Sequence, residues 1–193
     1  SINDARAKVT FADGTSWDTP QAEHGDADRK AFTNQFGDGM EYTVTLPAKN
    51  GLLLRHSVAS HKQRPFFVIQ VELENKSSSP IEIASISPVV FAGSGIRFFD
   101  SPDSGAHMRH LVGRGPYPVY DPTAPVSLTV LNNRGRDFTL AIGTLPTGIP
   151  QSSVNLAKKG DAYYGEVTCT FDPPVTLAPG AKLSADPVWL SFA

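Results

Sequence analysis

A single cysteine, Cys169, stands among 193 residues, so no disulfide can form within the chain. Charge is scarce too: Asp, Glu, Lys and Arg make up 19% of the residues and the net charge is −2. A balance so near neutrality offers no broad basic field, which argues against nucleic acid and anionic membranes as partners. No run of about 18 apolar residues occurs, so nothing reads as a membrane-spanning helix. Sustained apolar spacing of 3.6 residues is missing over any stretch of about a dozen residues, which excludes a helical bundle. One cysteine does not fix the compartment. The start at Ser1 fits either a cut end or the removal of a signal peptide, and the latter would make the protein secreted or periplasmic.

Chemistry-bearing motifs are equally sparse. There is no H-E-x-x-H, no C-x-x-C pair, no EF-hand loop and no G-x-S-x-G elbow. His107 and His110 are three apart but lack an obvious third ligand, and zinc wants three or four converging ligands. Asp100 and Asp103, or Asp26 and Asp28, could give oxygens to calcium, although acidic turns are the commoner reading. Gly93-Ser94-Gly95 and Gly113-Arg114-Gly115 lack the Lys-Ser/Thr that gives a phosphate cradle its meaning. Glu72 and Glu74 share one strand face and read as solvent-facing residues rather than a hydrolytic pair. Cys169 alternates with core positions and reads as a buried, inert thiol. The expectation is therefore no catalytic residue, no metal and no cofactor. Asn75-Lys76-Ser77 fits the glycosylation sequon.

What the chain does have is punctuation and alternation. Sixteen Gly and sixteen Pro divide it into short segments. Tyr42, Val44 and Leu46 alternate with Glu41, Thr43 and Thr45, and Phe67, Ile69, Val71 and Leu73 alternate with Gln70, Glu72 and Glu74. The same pattern recurs at Phe138, Leu140 and Ile142, at Val167, Cys169 and Phe171, and at Val188, Leu190 and Phe192. Alternation puts one face on a core and the other in water, the habit of antiparallel sheets. Turn-rich clusters separate the runs, among them Ala48–Gly51, Asn75–Pro80 and Ala178–Ala181. The expected fold is a single all-β domain over 1–193, a large antiparallel β-sandwich with little helix. The consecutive Leu52, Leu53 and Leu54 suit a strand buried on both faces or a sheet edge meeting a neighbour. Polar residues 18–30 read as a mobile loop, and Asp100–Pro125 as one long connection of the kind that often carries function.

Sugar sites pair an aromatic platform with a few hydrogen-bonding side chains. Tyr117 and Tyr120 share the long connection with Arg109 and Arg114, which makes these four the best cluster. Trp189 lies opposite the Val188/Leu190/Phe192 face, so it is exposed or packed against a second layer. These five are the candidate ligand-binding residues.

The stretch from Arg64 to Ile83 and the end from Leu177 to Phe192 resemble the N-terminal β-supersandwich domain of α-galactosidase-like, melibiase-type glycoside hydrolases, a galactose-mutarotase-like fold. Ser87-Pro-Val-Val-Phe91 stands where that family has a "P-L-V"-like run, and Gly93–Phe98 and Gly113–Tyr120 stand nearest its Gly-rich segment. The family's Trp-containing segment is not preserved: Pro116-Tyr-Pro-Val-Tyr120 occupies that place. The resemblance implies a sandwich excised from a longer chain, with a catalytic (β/α)8 barrel as its partner. Three readings follow: a non-catalytic ancillary domain of a carbohydrate-active enzyme, a free-standing carbohydrate-binding module whose partner is a glycan, or a cell-surface interaction sandwich.

Overall fold

The structure is a computed structural model that describes residues 5–19, 26–96, 108–114, 117–119, 128–133, 138–160 and 162–193. Its described elements are β1 (Ala5–Phe11), β2 (Ser16–Asp18), β3 (Asp26–Asn34), β4 (Gly37–Pro47), β5 (Leu52–His61), β6 (Arg64–Asn75), β7 (Ile81–Ile96) and β8 (Met108–Arg114). They continue with β9 (Tyr117–Val119), β10 (Leu128–Asn133), β11 (Phe138–Thr144), β12 (Gln151–Lys159), β13 (Ala162–Leu177), β14 (Lys182–Ser184) and β15 (Val188–Phe192). A 3-10 turn, Lys49–Gly51, links β4 to β5, with Asn50 and Gly51 both at positive φ. The fold is an all-β sandwich, as the alternation requires.

Every described pairing is antiparallel, and the strands form two sheets of unequal size. The smaller has the order β12-β13-β7-β1-β2, and the larger runs β3-β4-β5-β6-β15-β11-β10-β8-β9, with β14 also pairing β6. Core residues come from alternate positions, except where a register shift intervenes, as between Ile83 and Ile86. Val71 and Leu73 of β6, Leu52 and Leu54 of β5, Ile83 and Ile86 of β7, and Cys169 and Phe171 of β13 fill one end of the interlayer. Ile69, Val89, Phe91, Leu140, Ile142, Val167, Val188 and Leu190 fill the other. Each fully buried side chain of this kind contributes about 1.5–3 kcal/mol through burial.

The disparity between five strands and ten has a direct consequence. Among the described residues, the β3–β4 end of the larger sheet is not sealed by the smaller one. Tyr42 and Val44 have the parity of core residues, yet they are 51% and 38% exposed. The sequence expectation that they are buried fails because burial needs a facing layer as well as a pleat. Phe67 likewise keeps the parity of Ile69, Val71 and Leu73 but is 38% exposed at the end of β6. The leucine run resolves as an internal strand: β5 lies between β4 and β6, Leu52 and Leu54 point inward, and Leu53 is half-buried on the outer face.

Two loop expectations need correcting. Residues 26–30 belong to β3 rather than to a mobile loop, and β8 and β9 lie within Asp100–Pro125. Gly and Pro mask these strands in the sequence, and the ladders β8–β10 and β8–β9 fix them.

Two buried polar groups pin the loops. Asn75, fully buried, donates through Nδ2 to the carbonyls of Ser79 and Leu177, both at 2.8 Å. Its Oδ1 accepts from the Ser77 amide at 2.9 Å and the Ser77 hydroxyl at 2.7 Å. The sequon asparagine is thus a structural clamp between the β6–β7 turn and β13. Asp186, also fully buried, accepts from the Thr147 amide and hydroxyl at 2.8 and 2.6 Å and from the Ser152 hydroxyl at 2.6 Å. Cys169 is buried beside it, and burial pushes its thiol pKa up, as expected for an inert core cysteine.

Candidate functional site

The outward face of the larger sheet separates into two halves. Register places Lys30, Glu41, Ala59, Val68, Trp189, Gly143 and Leu128 in one row across seven strands. A neighbouring row contains Phe32, Gly39 and His61 on β3 to β5, and Phe66, Ser191, Ala141 and Val130 on β6 to β10. Both rows alternate with core residues, so they face away from the sandwich interior.

Rings dominate this half. Trp189 is half-buried, and its indole rests on Gly143: a Cβ at that glycine would come within 2.6 Å of Nε1 and 2.8 Å of Cε2. Phe32 lies over Gly39 in the same way, and a methyl there would overlap its ring. Between them sits an aromatic group. His61 and Phe66 are 4.6 Å apart between ring centres, Phe36 meets Phe66 edge-on at 5.6 Å, and Phe32 meets His61 edge-on at 5.1 Å. Phe36, on the β3–β4 turn, is 48% exposed. His61 Nε2 lies 3.2 Å from Asn34 Oδ1. At the sheet end a depression of about 300 Å³ is lined by Phe32, Thr33, Asp38 and Lys62, among others, and the Thr33 hydroxyl donates to Asp38 at 2.7 Å.

The other half is charged. Arg55 donates to Glu72 at 2.7 Å and lies 3.1 Å from Glu74, while Lys182 reaches Glu72 at 2.9 Å and Lys76 reaches Glu74. The Lys76 hydrogen bond holds the Glu74 carboxyl below its ordinary range, with Arg55 adding to the effect. Burial alone would raise the Glu72 carboxyl, but hydrogen bonds from Lys182 and Arg55 outweigh it and draw it down. These two glutamates therefore stay ionised and paired. Glu74 is 8% exposed, so the expectation that it faces solvent is not met.

Of the remaining predicted site residues, the ladder brings Arg114 beside Tyr117 and leaves Arg109 five residues away along β8. Arg109 pairs with Asn132 near one end of β8, and Arg114 pairs with Tyr117 at the other end. Tyr120 lies outside the described residues. The two arginines and Tyr117 thus belong to ladders rather than to a shared loop. Trp189 stands on β15, at the middle of the apolar half. Among the described residues no group of three or more His, Cys, Asp or Glu is placed to hold a metal ion. The pairs Asp100/Asp103 and His107/His110 fall wholly or partly outside the described residues.

No protein-family model matches the sequence, and a search of the curated proteins finds no relative. Solved structures do match by fold. The galactosidase domain of the α-galactosidase–sucrose kinase AgaSK superposes with a TM-score of 0.66 at 12% identity, over 99% of this chain and 30% of that one. An α-galactosidase from Lactobacillus brevis matches with a TM-score of 0.60 at 12% identity, over 97% of this chain and 28% of that one. A single-site variant of the GH36 α-galactosidase AgaA from Geobacillus stearothermophilus, in complex with 1-deoxygalactonojirimycin, gives 0.60 at 10% identity, over 97% and 30%. The chain thus has the fold of a part of GH36 α-galactosidases and spans about 30% of their length. At the level of fold, the resemblance read from the sequence is borne out.

Proposed function

We propose that the chain is the non-catalytic ancillary β-sandwich of an α-galactosidase-like carbohydrate-active enzyme, where it supports a catalytic barrel or the access of substrate. The observation that carries this reading is the coverage: nearly all of this chain matches under a third of each α-galactosidase chain. A match to under a third of each enzyme supports a part that works alongside a catalytic domain rather than one that carries the reaction. The charged half of the larger sheet's outward face, already paired within the sheet, makes no demand for an outside counter-ion.

Two measurements test the proposal. The purified chain is expected to release no p-nitrophenol from p-nitrophenyl α-D-galactoside above a heated control. The native polypeptide is expected to exceed the 20.7 kDa of these residues by the mass of a catalytic barrel. Turnover by the purified chain, or a native mass of 20.7 kDa, would overturn it.

A further inference from the structure

We propose that the aromatic strip on the outward face of the larger sheet, running from Phe32 through Phe66 to Trp189, is a platform for a neutral oligosaccharide. Two glycines mark the strip. A glycine inside a strand costs about 0.5–1 kcal/mol relative to alanine, yet this face has one beneath a ring at two places, Gly39 under Phe32 and Gly143 under Trp189. Neither ring belongs to the interlayer core; each is laid down on the open side of the sheet. Each glycine gives its ring room to lie close against the sheet while part of the ring stays open to solvent, and an exposed aromatic surface of that kind can stack on the apolar C–H face of a pyranose.

Dimensions favour a sugar chain over a protein. From β4, which carries Gly39, to β11, which carries Gly143, there are four strand intervals, about 19 Å in all at the usual strand spacing. The two rows stand about 7 Å apart along the strands. That footprint is long and narrow, well below the several hundred Å² of protein-docking patches. Hydrogen-bonding groups border it: Gln70 and Ser57 on one side, Ser191 and Lys62 on the other. Rings flanked by such groups recognise neutral sugars, whose hydroxyls lie at the edges of their apolar faces.

The test is titration of the intact chain with cellohexaose and with a β-1,4-galacto-oligosaccharide, followed by tryptophan emission and by saturation-transfer NMR. Trp17 is buried in the core at 5% exposure, so a ligand-induced change in emission reports on Trp189. Saturable binding of at least one sugar is expected, with transfer between ring protons and sugar C–H protons. Trp189→Ala should weaken it at least tenfold. Phe36→Ala, which changes an exposed side chain on a turn and leaves the core intact, should weaken it severalfold. No saturable binding to either sugar would sink the proposal, as would affinity unchanged in both variants. Self-association through this face that neither sugar displaces would sink it too. Any of these failures leaves the non-catalytic reading standing, because native mass and hydrolysis test that separately.

Discussion

Replacing Asn75 with alanine should cost the fold about 3–4 kcal/mol, although the change looks mild in a sequon on a turn. The side chain makes four hydrogen bonds of 2.7–2.9 Å. A typical net contribution is about 0.5–1.5 kcal/mol per bond, and a buried carbonyl left without a donor adds a penalty of its own. The Leu177 carbonyl is the critical one, since its bond to Nδ2 is buried and joins segments 102 residues apart in the chain. Urea unfolding followed by far-ultraviolet circular dichroism measures the loss. For a domain of this length it corresponds to a fall in Tm of about 6–16 °C. Asn75→Asp sharpens the test by turning a donor into a carboxylate oxygen that faces two carbonyls. It should be at least as damaging at neutral pH and recover in part once the carboxyl protonates. Ser77→Ala removes only the hydroxyl bonds on the turn and should cost about 1 kcal/mol. A loss below about 1 kcal/mol for Asn75→Ala would refute the clamp.

Two further outcomes follow from the backbone and the buried rings. Gly165, at φ +145° in a bulge of β13, has the Asn155 carbonyl oxygen where a Cβ would stand, so Gly165→Ala should cost about 3 kcal/mol in urea unfolding. Gly160, at φ +65° with open space around it, should lose only about 1–2 kcal/mol on the same change. The pKa of His56 is lowered by burial, which a hydrogen bond to the Pro88 backbone only partly offsets, and its Nε2 is buried without a partner. Its unfolded pKa is about 6.5, so its contribution is full above that pH and is lost as pH falls from there toward the lower folded value. Urea midpoints at pH 7.5 and 5.5 should therefore differ more for the wild type than for His56→Gln. Equal differences would refute the assignment.

Legibility in the sequence tracked how local each determinant is. Strands such as Val167–Phe171 and Val188–Leu190 announce themselves, because a pleat inverts every residue and the core takes alternate ones. Tyr42 and Val44 follow the same rule, yet they lie exposed on strands that overhang a layer half as wide. That depends on how many strands each sheet recruits, which no window of residues encodes. Strands β8 and β9 were hidden by the glycine and proline around them. The role of Asn75 was invisible because Leu177, its partner, is remote in the chain. For the site, alternation put Trp189 off the core face correctly. It missed Phe32, Phe36 and Phe66, whose grouping rests on the registry of four strands, and the local hint was a glycine near a strand end at Gly39 and Gly143.

The inequality of the two sheets also bears on what the chain is for. A sandwich of matched layers hides both inner faces and leaves polar outer faces to water. Here the inner face of the larger sheet emerges from under its partner at Tyr42 and Val44, while its outer face has rings laid on glycines. The core does not require either exposure, since Leu54, Val71, Ile83 and Leu140 are sealed without them. Edge strand β3 places Asp26, Asp28 and Lys30 along the rim, all exposed, and such charges discourage a further strand from adding to the sheet. The β3 edge of the sheet is thus guarded against pairing, while the faces stay open. That combination favours recognition through the faces, by rings and small residues, over assembly through the β3 edge.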